Sequence, residues 1–288
     1  MVASPGPSAS DSWLIVLVLP RRSCFSRGSA LDGSEEQVLA SNVDRAWIVH
    51  GLDRPVNDRS LERYLAVAWE SGALPEFVLA KSDMADDIQQ AVERVERLGY
   101  GTPVWVVGMH DQASIARLGD SLTRGRTVVL LGPSGAGKST LVNLLAESDI
   151  AKTGSVREGD SKGRHTSTAR QLFKIRGGGL LLDTPGLRQL RIWDLDAGLA
   201  RAFPEIDELA DGCRFRDCRH ETEPGCAVLE AAQSGRLDPE RLAGFRKLQA
   251  EAAYQLRKTD PRAKNEAIAE YKSIMKSMKH HPKYQSRK

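Results

Sequence analysis

The sequence predicts an α/β domain with a largely parallel sheet, followed by a mainly helical region built around a cysteine cluster. Three observations carry that reading. Short apolar, β-rich runs at Ala46–His50, Phe77–Ala80, Val104–Val107, Thr127–Leu131 and Gly179–Leu182 alternate with segments of helical period, the pattern of a doubly wound fold. Within the runs apolar residues are consecutive, which suits strands buried on both faces. Beyond Phe203 the strand signals stop, and Cys213, Cys218, His220 and Cys226 fall close together.

Taken in order, residues 1–42 are read as a separate start. Met1–Ser12 are Ser, Ala, Pro and Gly with one acid, a composition expected to stay unordered. Leu14–Leu19 and Cys24–Arg27 are short strand candidates. Residues 43–194 hold the α/β domain. There Leu61, Tyr64, Leu65 and Ala68 fall at i, i+3, i+4, i+7, and Ile88, Val92 and Val95 at i, i+4, i+7, with Gly99 as the expected stop. Residues 195–260 are read as the cysteine cluster and its helices, and 261–288 as a basic tail. From Arg257 to Lys288 ten Lys/Arg face three Asp/Glu, so the rest of a chain of formal net charge +3 is mildly acidic. A basic end on an acidic body suggests a polyanionic partner. In the tail Ile268, Tyr271, Met275 and Met278 form a stripe read as packing, with Lys272, Lys276 and Lys279 interleaved.

Composition bounds the class. At 288 residues, 41% hydrophobic and 27% charged, the chain is of ordinary globular type. Four cysteines cannot form a disulfide framework. The longest apolar run near the start, Trp13–Leu19, is seven residues, against the ~20 that a membrane helix needs. No basic residue precedes that run, so a secretory signal is not indicated. A cytoplasmic protein without membrane contact is expected.

Gly132-Pro133-Ser134-Gly135-Ala136-Gly137-Lys138-Ser139, followed by Thr140, fits G-x-x-x-x-G-K-[ST] between a strand and the helix expected over Leu141–Ala146. Glycines allow successive backbone N–H groups to turn toward phosphates, and the helix N-terminus adds positive potential. Lys138 supplies charge to the β and γ oxygens, and the Ser139 hydroxyl ligates Mg²⁺. This is a nucleoside triphosphate site. The cradle does not choose the base. Leu180-Leu181-Leu182-Asp183-Thr184-Pro185-Gly186 ends a strand in D-x-x-G, 45 residues after Lys138. Asp183 can reach Mg²⁺ through water and the Gly186 amide can meet the γ-phosphate. No L-S-G-G-Q signature of a transporter ATPase is present.

Upstream, Ala80-Lys81-Ser82-Asp83 resembles the N/T-K-x-D base-reading motif of GTPases. The Asp83 carboxylate can accept from guanine N1–H and the 2-amino group, a donor pair that adenine lacks. Lys81 can lie across base and ribose. Ala80 stands where Asn or Thr is usual, which removes a polar tie to the phosphate loop.

The order of these motifs, base loop before phosphate loop before D-T-P-G, is that of a circularly permuted GTPase. The chain resembles the ribosome small-subunit-dependent GTPase A family over roughly 19–251. Further stretches that carry the likeness are Leu19-Pro20-Arg21-Arg22-Ser23, Gln37 to Asp44, Arg63-Tyr64-Leu65 and Gly163-Arg164-His165-Thr166-Ser167-Thr168. The resemblance implies a first switch at Arg164-His165-Thr166, with Thr166 and Thr168 both candidates to complete Mg²⁺ coordination. It implies an N-terminal OB barrel, of which the short start here holds only a remnant, and a second base-contacting loop at Gly108-Met109. It also implies binding of GTP and GDP, the small (30S) ribosomal subunit and 16S rRNA as partners, and action in late subunit maturation. A monomer is expected. Leu187 stands where Ras-like enzymes place a water-orienting glutamine, so turnover should depend on the partner. The alternative from another class is a nucleotide-regulated rRNA-binding module with little catalysis of its own.

Cys213, Cys218, His220 and Cys226 give C-x4-C-x-H-x5-C. Three thiolates and an imidazole at that spacing suit one closed, structural Zn²⁺. Cys24 is left over as an ordinary thiol.

Overall fold

The computed structural model describes residues 2–4, 14–28, 36–146, 171–183, 196–259 and 261–279. In chain order its elements are β1 (Val2–Ser4), β2 (Leu14–Leu17), β3 (Cys24–Gly28), β4 (Glu36–Ser41), β5 (Arg45–Gly51), α1 (Asp58–Glu70), β6 (Leu74–Ala80), a 3₁₀ turn (Ser82–Met84), α2 (Ile88–Gly99) and β7 (Val104–Val107). There follow α3 (Gln112–Asp120), β8 (Thr127–Leu131), α4 (Lys138–Leu145), β9 (Gln171–Lys174), β10 (Leu180–Asp183), α5 (Asp196–Ala202), α6 (Pro204–Ala210), α7 (Ala227–Gln233), α8 (Pro239–Thr259) and α9 (Pro261–Lys279).

A six-stranded sheet in the order β7-β6-β5-β8-β10-β9 is parallel except for β9. Consecutive apolar residues supply both faces. Ala46, Ile48, Phe77, Leu79, Val129 and Leu131 face one core, with Leu61 and Leu65 of α1. Trp47, Val49, Val78, Val128 and Leu130 face the other, with Ile115 of α3 and Leu141 of α4. α1, α2 and α3 are each started by a side-chain cap. Asn57 accepts from Ser60 N–H at 3.0 Å, Asp87 from Gln90 N–H at 2.9 Å, and Asp111 from Ala113 N–H at 3.0 Å.

Two expectations change, and one strand was not foreseen. Val2–Ser4 is not unordered but pairs antiparallel with β2; backbone pairing needs no apolar side chains. β4 was not foreseen, because its apolar run, Val38–Ala40, is only three residues long. It pairs antiparallel with β3. The described residues before β5 thus form two antiparallel strand pairs, the second anchored by Phe25 at 1% and Leu39 at 3% exposure. α2 ends at Gly99 as expected, and Tyr100 takes the left-handed C-cap at φ +46°. Gly99 also makes room for Phe77, whose Cε2 would lie 2.6 Å from a Cβ there. The tail stripe is not packed throughout, since Ile268 is 42% exposed. Among the described residues no helix is long and apolar enough to cross a membrane.

The helical region is tied to α1. The Arg63 guanidinium donates to both Glu251 oxygens at 2.8 and 2.6 Å. Arg241 donates to Glu62, Glu205 and the Ala202 carbonyl at 2.8, 2.6 and 2.6 Å, and lies 4.2 Å over the Phe203 ring. α5 packs tightly on α1: Gly198 N–H donates to Glu70 at 2.7 Å, and a Cβ at Gly198 would meet the Ala66 carbonyl at 2.4 Å. Gly198→Ala should therefore push α5 off α1 and cost about 1–3 kcal/mol, read as a lower urea midpoint; an unchanged midpoint would show that the two helices are not in tight contact.

Candidate functional site: a nucleotide cleft and a metal knuckle

Parallel register brings the carboxyl ends of β6, β5, β8 and β10 to one edge. The chain runs outward through β5, β6 and β7, then returns to place β8 on the other side of β5. Ligands of open α/β sheets bind at such a switch point, outside the carboxyl ends of the strands. The phosphate loop leaves β8 there, and the base loop leaves β6 two strands away.

The loop from Gly132 to Gly137 depends on its glycines. Gly132 has φ +135°, and a Cβ would lie 2.3 Å from the Val49 carbonyl oxygen of β5. Gly137, at φ +100°, leads into α4, and a Cβ there would meet Met109 Cε at 2.9 Å. Pro133 is half-buried and Ala136 buried, while Ser134, Gly135, Ser139 and Thr140 are exposed at the start of α4. Lys138 is 9% exposed, and its Nζ donates to the Gly132 and Pro133 carbonyls at 2.6 and 2.5 Å. The ammonium thus sits inside the ring that phosphates would fill.

The base loop is in contact with this ring. Ala80 is fully buried at the end of β6. Lys81 adopts the left-handed conformation at φ +59°, which turns the chain out of the strand. Its Nζ donates to the Gly135 carbonyl at 2.8 Å and to Asp53 Oδ2 at 2.8 Å. Asp83 is exposed, and its Oδ1 accepts from the Met109 N–H at 3.0 Å. The second loop is therefore joined to the first: the Met109 amide is engaged by the base-reading carboxylate itself. Two lone pairs on each carboxylate oxygen leave acceptor capacity for further donors. A Cβ on Gly108 would lie 3.1 Å from Ser82 Oγ. Asp183 ends β10, half-buried. Thr166, Thr168, Gly186 and Leu187 lie outside the described residues.

Asp53 escaped the sequence reading. It belongs to no motif and precedes Lys81 by 28 positions. The available signal was its place just past the end of a strand neighbouring the base-loop strand. Lys81 first, and then Arg54, hold its pKa down at about 2.

The second centre lies between α6 and α7. The ligand atoms of Cys213, Cys218, His220 and Cys226 lie within 4.8 Å of one another. Cys213 Sγ is 3.8 Å from Cys226 Sγ and 3.6 Å from His220 Nδ1, and that nitrogen is 3.4 Å from Cys226 Sγ. A tetrahedral ion with thiolates at about 2.3 Å and an imidazole at about 2.0 Å has edges of about 3.8 and 3.6 Å. The cluster fits a metal ion. His220 reaches inward from a left-handed residue at φ +58°, and burial lowers its pKa, favouring the neutral ring that ligates. Glu223 accepts the Arg219, Glu221 and Thr222 amides at 2.9, 2.8 and 3.0 Å, which folds the loop between ligands and helps hold its pKa at about 2. The knuckle is seated on α8 by the Arg246 guanidinium, which donates to the His220 carbonyl, and by Phe245.

A phosphate loop touching a lysine-and-carboxylate base loop, in an order that runs base loop first, defines a circularly permuted P-loop GTPase fold. The solved structures agree. YjeQ from Thermotoga maritima superposes with a TM-score of 0.62 at 26% identity, over 85% of this chain and 81% of that one. YloQ, described as a circularly permuted GTPase, shares the fold with a TM-score of 0.54 at 23% identity, over 85% and 88%. The RsgA GTPase family model matches residues 18–193. The small ribosomal subunit biogenesis GTPase RsgA of Methanosarcina acetivorans is 40% identical over 96% of this chain and 74% of its own length. The chain belongs to the RsgA GTPase family.

Two outcomes follow for the site. Gly132→Ala, which must displace β5, should lose nucleotide binding by at least ~10²-fold, measured by titration calorimetry; unchanged affinity would mean that this loop is not the cradle. The purified chain should carry about one tightly held metal ion, and Cys226→Ala should lose it with a lower melting temperature. Full metal content in that variant would refute the ligand set.

Proposed function

We propose that this chain binds GTP in the cleft between the two loops, hydrolyses it to GDP and phosphate, and acts on the small ribosomal subunit in its late maturation. The observation that carries the reading is the 2.8 Å contact from Lys81 Nζ to the Gly135 carbonyl, which joins a base-reading loop to a phosphate cradle. The relatives support the ribosomal half, since those proteins are described as small ribosomal subunit biogenesis GTPases.

In this reading residues 43–194 form the nucleotide domain, 195–260 the metal and helical domain, and 1–42 and 261–288 the flanking hairpins and basic tail. Backbone amides from Gly132 to Thr140 hold the phosphates, and Lys138 leaves its loop carbonyls for the β and γ oxygens. Ser139, Asp183 and either Thr166 or Thr168 would hold Mg²⁺, which neutralises charge on those oxygens. Asp83 reads the guanine edge and Lys81 covers the ring. The Gly186 amide senses the γ-phosphate. Leu187 cannot orient the attacking water, so ordering of the switches by the partner supplies what the free chain lacks. The ion in the knuckle is zinc, for which three thiolates and one imidazole are a matched, closed donor set. Its role is structural. Lys272, Lys276 and Lys279 meet 16S rRNA phosphates in a salt-dependent way, and the protein works as a cytoplasmic monomer.

GTP turnover should be slow alone and rise severalfold or more with 30S subunits, with Lys138→Ala slower by about 10²-fold or more in both conditions. Excess ATP should not displace bound GDP. Equal turnover with and without subunits would remove the partner from the mechanism, and displacement by ATP would remove the guanine assignment. Guanine binding without turnover in either condition would favour the regulated rRNA-binding module.

A further inference from the structure

The base loop begins at a residue whose side chain can make no polar contact. Ala80 is fully buried, and its Cβ stands 3.6 Å from where a Cβ of Gly137 would be, so its methyl faces the phosphate loop without a polar group of its own. A polar contact between the two loops runs from Lys81 Nζ to the Gly135 carbonyl at 2.8 Å. Lysine is a poor strut by itself, because its charge rides on a long stem with high rotamer freedom. Something must hold the ammonium in place.

Asp53 does so from the neighbouring strand. Its Oδ2 accepts from Lys81 Nζ at 2.8 Å, and both side chains are about four-fifths buried, at 19% and 22% exposure. Arg54 approaches the same carboxylate from its other side at 3.4 Å. The backbone is shaped for this arrangement. A Cβ on Gly51 would lie 2.6 Å from Asp53 Oδ1, 3.3 Å from the Ala136 carbonyl and 3.4 Å from Lys81 Cδ. Any side chain at 51 would therefore displace the carboxylate, the lysine stem or the phosphate loop. Glycine there lets all three close together.

We propose that Asp53 is a positioning residue for guanine nucleotide binding, acting through Lys81: it fixes the ammonium so that one lysine both covers the base and ties the base loop to Gly135. The inference rests on the nucleotide site proposed above. A charge-assisted bond between partly buried groups is among the stronger single polar contacts. It stands here in place of the tie that Ala80 does not make.

The test uses the full-length, metal-loaded chain and the affinity for GDP by calorimetry. Asp53→Ala should weaken GDP binding by about tenfold, a typical effect of removing one charge-assisted contact. In a Lys81→Met background the same substitution should change affinity by less than about twofold, because residues acting through one another are not additive. Asp53→Ala within twofold of the parent, or equally costly with and without Lys81, overturns the proposal. Should Asp53→Ala not fold, Asp53→Asn keeps the shape and carries the same cycle, with an expected loss of about threefold or more; parent-like affinity there also overturns it. A parent chain that binds no guanine nucleotide would instead overturn the proposed function, and this inference with it.

Discussion

Lys81 is the point at which two stretches of chain 54 residues apart become one site. Its ammonium holds the carbonyl of a glycine inside the phosphate loop, and its stem rises from the end of β6. Nothing in either loop alone would bring them to this distance. The parallel sheet does, because β5 lies between β6 and β8 and aligns all three carboxyl ends. The apolar character of both sheet faces is therefore a functional constraint as well as a structural one. A register slip of one residue would turn Ala80 and Val49 away from their shared core and separate the loops.

A second set of contacts connects this edge to the knuckle. α5 is pressed against α1 at Gly198, and α1 is held to α8 through Arg63 and Arg241. Phe203 stacks edge-on with Phe245 at 5.5 Å, and Phe245 lies beside the metal-ligating ring of His220. The path from α1 to the Cys-Cys-His-Cys cluster thus runs through packed side chains.

Motif and order were strong where chemistry demands residue type at fixed spacing. The phosphate loop and the Cys-Cys-His-Cys set were legible, and Ala46–His50 and Thr127–Leu131 were readable from consecutive apolar residues. Signals failed where partners are distant. Gly99 was readable as the end of α2, but its close approach to the Phe77 ring of another strand was not. β4 was hidden because a half-exposed hairpin strand has a weak pattern. Ile268 kept helical spacing without a partner to bury it.

The sequence by itself determined the class of fold, the phosphate cradle, the metal ligands and the permuted order, because each is written in local residue types. Tertiary structure alone decided that Asp53 grips Lys81, that the Met109 amide meets Asp83, and that Gly51 must lack a side chain. Those depend on which strands lie side by side, and adjacency in a sheet is set by packing over the whole domain rather than by any short run of residues.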